Sequence, residues 1–156
     1  MDALKQHPIS LHEVYLARKV VKQHVPPSPL TYYESLSQLL GCEAYVKHEN
    51  QNITGSFKIR GGINLMSHVK HAGVSGVVTF STGNHGLSVA KSAKLLGIPA
   101  IVVVPEGANP RKIALIQAAG LKWWKRVKTL MRARKWWSRS VSRKAITSFI
   151  RPMSRI

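Results

Sequence analysis

The 156 residues suffice for one domain with a buried core and leave little for a second. The single cysteine, Cys42, excludes a disulfide framework and a CxxC metal site, and no metal is expected. A formal charge of +18 is what a nucleic-acid or anionic-surface protein would carry, but its distribution argues otherwise. Residues 1–120 hold 12 Lys and Arg against 6 Asp and Glu, whereas 121–156 hold 12 basic residues and no acidic one. All four tryptophans, at 123, 124, 136 and 137, also fall in that last stretch. Two compositions meet near Gly120, so the expected organisation is a folded unit over 1–120 and a basic tail over 121–156.

The opening MDALKQHPIS lacks the basic-then-apolar order of a secretory signal, and the apolar run from Ile98 to Val104 is too short to cross a membrane. A cytoplasmic setting is the expectation. Ser10 can cap a helix carrying Leu11, Val14, Tyr15, Ala17, Val20 and Val21 at helical spacing. It should end before the extended run Val25-Pro26-Pro27-Ser28-Pro29. A short helix, Tyr33 to Leu40, stops at Gly41, and Glu43 to Glu49 alternates as a half-buried strand does. Ser56 to Ala72 reads as a helix and Val77 to Phe80 as a buried strand. Asn84 to Leu96 reads as a helix closed by Gly97, Ala100 to Val104 as a strand, and Pro110 to Ala119 as a helix closed by Gly120. Strands alternating with helices predict an α/β fold, a parallel sheet covered by helices. Ligands in such sheets sit where strands end and helices begin.

Two polar motifs fall at helix starts. In Thr54-Gly55-Ser56-Phe57-Lys58-Ile59-Arg60-Gly61-Gly62, Lys58 lies in the first turn, where the helix dipole opposes a second positive charge. More neutral amine is what Schiff-base chemistry with an aldehyde cofactor needs, although most lysines are simply solvated. Ser81-Thr82-Gly83-Asn84-His85-Gly86 follows a strand directly and offers hydroxyls, an amide and backbone N–H groups to an anion. Ser, Thr and Asn also serve as ordinary caps, so this motif by itself is equally a capped turn.

Taken together, SFKIRGG and STGNHG closely resemble fold-type II pyridoxal 5'-phosphate (PLP) enzymes with the tryptophan synthase beta-like fold. The likeness is to the threonine and serine dehydratase (ammonia-lyase) branch, which includes serine racemase. The segment KHENQNITGSFKIRGG, the GIPAIVVVP strand, the NPRKIALIQAAG helix and Pro-Ser-Pro-Leu at 27–30 match in order and spacing over residues 10–120. The resemblance implies that Lys58 carries the cofactor in Schiff-base linkage, that Phe57 packs beside it and that Asn84 hydrogen-bonds the ring's phenolic oxygen. It implies further that Ser81, Thr82, Gly83, Asn84 and His85 grip the substrate carboxylate. Thr82 falls where racemases carry a serine acting as a base on the second face, which makes racemisation the less expected outcome. The implied activity is β-elimination from L-threonine or L-serine to a 2-oxo acid and ammonia. The implied partner is a small hydroxy amino acid, with no nucleic acid and no membrane, and the intact family forms homo-oligomers.

After Gly120 the likeness stops. The family continues with a strand, a second half and a glycine-rich loop around the PLP phosphate, whereas 121–156 contain no glycine. Tryptophan and methionine have one codon each, so part of the tail can be back-translated. Moved one base upstream, with G-ending codons for Leu121 and Lys122, the segment through Trp123-Trp124-Lys125 reads Glu-Val-Val-Glu, the strand that the family shows there. The tail is therefore expected to be out of frame and outside the fold, and a chain so truncated is expected to be inactive. The alternative is a basic module: apolar residues from Trp123 to Val141 fall roughly at helical spacing among Lys and Arg, a pattern suited to nucleic acid or an anionic membrane.

Overall fold

A computed structural model describes residues 10–81, 83–119, 123–127 and 147–148, the last two stretches as backbone. Ser10 caps α1 (Leu11–Val21) by accepting the Glu13 N–H. A two-stranded antiparallel ribbon follows, β1 (Leu30–Tyr32) against β2 (Tyr45–Lys47), with α2 (Glu34–Leu40) between them. Then come α3 (Lys58–His71), β3 (Val77–Phe80), α4 (Asn84–Leu96), β4 (Ala100–Pro105), α5 (Pro110–Ala118), β5 (Trp123–Val127) and β6 (Thr147–Ser148). The last four strands form one parallel sheet in the order β5-β4-β3-β6. The expected α/β fold with a helix-covered parallel sheet is the observed one.

Gly41 and Gly97 end α2 and α4 in the left-handed conformation, with φ of 68° and 70°, which an L side chain resists. Other boundaries differ from the sequence reading. The strand expected over Glu43–Glu49 shrinks to β2, because Glu49 is drawn into a single 3₁₀ turn, Glu49–Gln51. The helix expected from Ser56 begins at Lys58, since Ser56 and Phe57 still belong to the turn before it. β1 was not foreseen: its three residues are all exposed and carry no buried face to reveal them.

The core lies where α3 and α4 meet the sheet. Met66, Val69, Val89 and Ala93 pack with Val77 of β3, while Ala90 of α4 joins Val102, Val104, Ile113 and Ile116 around β4 and α5. α3 and α4 approach most closely at Gly62. A Cβ there would overlap Ser88 Oγ and lie 2.8 Å from Ser92 Oγ. The helical stripe of α1 is only partly used: Val21 is buried with Ile59 and Ile63, while Leu11 and Val14 stay exposed.

The tail departs from expectation at one place. Residues 123–127 pair in register with Ile101–Pro105, so this stretch lies in the sheet and not outside it. The crossover through α5 returns the chain to the open edge of β4, whose backbone groups accept any strand-forming segment delivered there. Residues 128–146 and 149–156 lie outside the described residues, and with them most of the stretch read as a basic helix.

Candidate active site

Lys58 is the first residue of α3 and is half-buried; Phe57, just before it, has helical backbone angles but no side-chain cap. The Lys58 ammonium lies 4.8 Å from the centroid of the Phe57 ring, within cation–π range. On the other motif, Ser81 follows β3 and its Oγ accepts the Gly83 N–H at 3.2 Å. Gly83 stands at the N-cap of α4 in an extended conformation and provides no capping side chain, so the ordinary capped-turn reading does not hold at α4 itself. Asn84 and His85 are the first two residues of that helix, and both are exposed. Thr82 lies outside the described residues.

One hydrogen bond brings the motifs together. Ser88, one turn into α4, donates from Oγ to the Lys58 carbonyl at 2.7 Å. The starts of α3 and α4 therefore lie side by side at the carboxyl end of β3, where this class of sheet binds ligands. His85 turns Nε2 inward onto Thr79 Oγ1 of β3, 3.0 Å away. Desolvation, followed by the charge of Lys58, holds the imidazole below its ordinary basicity.

The loop before Lys58 is anchored by residues to which the sequence reading assigned no role. Arg60 grips Glu49 with two hydrogen bonds, Nε to Oε2 at 2.9 Å and Nη2 to Oε1 at 3.0 Å. Ser28 Oγ and Asn52 Nδ2 donate to the same carboxylate at 2.6 and 2.5 Å. The Arg60 hydrogen bond foremost, with help from Ser28 and Asn52 and against the cost of burial, lowers the Glu49 carboxyl to a pKa of about 2. Asn52 also reaches the Ser56 carbonyl at 3.3 Å, tying the network to the turn ahead of Lys58. The available signal was an acid and an arginine flanking a glycine-bearing loop in a chain with only six acidic residues.

The family is now decided by likeness as well as by geometry. The model of the pyridoxal-phosphate dependent enzymes matches residues 21–146. The chain belongs to that family. It is 40% identical over 113 residues to the L-threonine ammonia-lyase of Thermotoga maritima, covering 72% of this chain and 28% of that one. It is 38% identical over 109 residues to the L-threo-3-hydroxyaspartate ammonia-lyase of Saccharomyces cerevisiae, covering 69% of this chain and 33% of the relative. The solved serine racemase of Dictyostelium discoideum superposes with a TM-score of 0.80 at 29% identity over 90% of this chain and 47% of its own. The fold is the fold-type II architecture, in part: the chain spans about a third of the curated relatives it matches.

The residues present suit part of such a cofactor. An amine and an amide (Lys58 and Asn84) occupy adjoining helix starts, the Ser81 hydroxyl lies just ahead of the second, and Phe57 is 58% exposed beside Lys58. The Ser56 hydroxyl, two residues before Lys58, is buried without a partner among the described residues, as a group awaiting a polar ligand would be. Among the described residues no cluster of His, Cys, Asp or Glu could hold a metal ion, and no helix is long and apolar enough to cross a membrane.

Proposed function

We propose that these residues form the lysine-bearing side of a PLP-dependent lyase site that deaminates a small hydroxy amino acid, threonine or serine, by β-elimination. The observation that carries this reading is the Ser88–Lys58 hydrogen bond, which joins the amine-bearing helix start to the anion-binding turn. Pyridoxal phosphate, when bound, supplies the electron sink for charge developing at the substrate Cα. Lys58 Nζ would hold the cofactor and then take the Cα proton. Phe57 would cover one side of the ring, and Asn84 would hold its phenolic oxygen. Ser81, Thr82, Gly83, Asn84 and His85 would fix the carboxylate, so that the Cα–H bond faces Lys58. Loss of the β-hydroxyl and hydrolysis of the resulting enamine yield the 2-oxo acid and ammonia. Thr82 falls at the position where racemases carry a serine acting as a base, and that replacement favours elimination over racemisation.

We infer that residues 121–156 are translated out of frame, and that these 156 residues bind the cofactor without completing turnover. The test is reconstitution with pyridoxal phosphate. The full chain should develop a visible absorption band that borohydride bleaches while fixing the cofactor covalently at Lys58, and should release no ammonia from threonine or serine. Lys58→Ala should lose the band. A folded, colourless wild-type chain would overturn the proposed site.

A further inference from the structure

Thr79 lies at the third position of β3, 2% exposed, two residues before Ser81. Its hydroxyl has one partner among the described residues, His85 Nε2 at 3.0 Å. Two placements of hydrogen fit that distance. If Nε2 carries the hydrogen and donates, the threonine hydrogen is left in a buried site without an acceptor, which is costly. If the hydroxyl donates to a bare Nε2, both groups are satisfied, and the neutral ring must carry its hydrogen on Nδ1. A doubly protonated ring would likewise donate from Nε2 and leave the threonine hydrogen without an acceptor. The charged group facing His85 from α3 is Lys58, which acts against protonation in the same sense as desolvation.

We propose that Thr79 is a positioning residue that holds His85 as the neutral Nδ1–H tautomer, so that the imidazole serves the anion-binding turn as a hydrogen-bond donor and not as a base or a second cation. The identity of the anion, a substrate carboxylate, rests on the function proposed above; the tautomer does not. The assignment divides labour at the site. Lys58 is the group that moves a proton, and His85 contributes direction without competing for it. Nε2 is taken up by the strand, so Nδ1–H is the hydrogen that the ring can offer a ligand.

The experiment is long-range ¹H–¹⁵N correlation of the histidine rings in the full chain, uniformly ¹⁵N-labelled, at a pH above their titration. His85→Gln identifies the His85 signals by their disappearance. The expected spectrum shows Nε2 with the shift of an unprotonated ring nitrogen and Nδ1 with that of a protonated one. Thr79→Val, equal in shape, should lose this preference and move both shifts toward the mixture of an unconstrained imidazole, while Thr79→Ser should restore it. The other six histidines report whether each variant is folded. A wild-type His85 protonated at Nε2 would sink the proposal, as would an unchanged His85 in folded Thr79→Val. Cofactor absorbance separates the two readings. The band with the wrong tautomer removes only the role of Thr79, whereas the right tautomer in a chain that forms no band removes the site and leaves the Thr79–His85 pair standing.

Discussion

Four hydrogen bonds converge on the Glu49 carboxylate, two of them from Arg60, and they depend on its being ionised. Its folded pKa of about 2 lies below the ordinary 4.5, so its contribution is fully present above pH 4.5 and lost as pH falls toward 2. Water reaches both partners, whose side chains are 29% and 22% exposed, so the contribution is about 1–2 kcal/mol, well short of the full shift. Glu49→Gln should therefore lower the urea midpoint at neutral pH and flatten the fall in stability between pH 4.5 and 2. An equally steep acid limb in the variant would place the pH dependence on another carboxylate. Glu49 appeared as the end of an alternating strand, because alternation records which face a residue takes and not which distant arginine it meets. The helix start at Lys58 and the strand end at Phe80 were legible, to within two residues, because such boundaries are local features.

The placement of the proposed site depends on how closely two helices approach. α3 and α4 meet through Gly62, Ser88 and Ser92, small residues that let the helices close until Ser88 reaches the Lys58 carbonyl. Gly62→Ala should force them apart, with an overpacking cost of about 1–3 kcal/mol in denaturant unfolding. Ser88→Ala should cost about 1 kcal/mol, the net value of one hydrogen bond, and should weaken cofactor attachment more than stability. If Gly62→Ala left both stability and the visible band unchanged, the interface would have slack that the geometry denies. The helices over 84–96 and 110–118 and the strands β3 and β4 were readable from periodicity and from Gly97. The α3–α4 contact was not, because nothing local in Gly61-Gly62 says which glycine faces a neighbouring helix. β1 escaped for a related reason, since three exposed residues leave no pattern.

The chain joins a family segment, about a third of its curated relatives' length, to a stretch of different composition. Its sheet continues through β5, and the family match runs to residue 146, so a break near 120 is not a break in the path of the chain. These two findings count against a tail foreign to the fold, but they bear less on the reading frame. The α5 crossover delivers whatever follows Gly120 to the edge of β4, and both frames place a strand-forming stretch there: Trp-Trp as translated, Val-Val one base upstream. Backbone pairing is shared by the two readings; side-chain chemistry is not. The translated frame gives +12 over 36 residues with no acidic residue or glycine, a poor composition for packing a second half against α1, where Leu11 and Val14 remain uncovered. Sequencing the coding DNA from codon 110 onward tests the frame directly. The upstream-shifted frame should stay open well past codon 156, restore acidic residues and encode a glycine-rich loop. A stop codon within a few dozen codons of that frame would make 121–156 the genuine continuation. The basic segment would then need its own account, beginning with salt-dependent binding to duplex DNA or anionic vesicles and its loss when 128–156 are deleted.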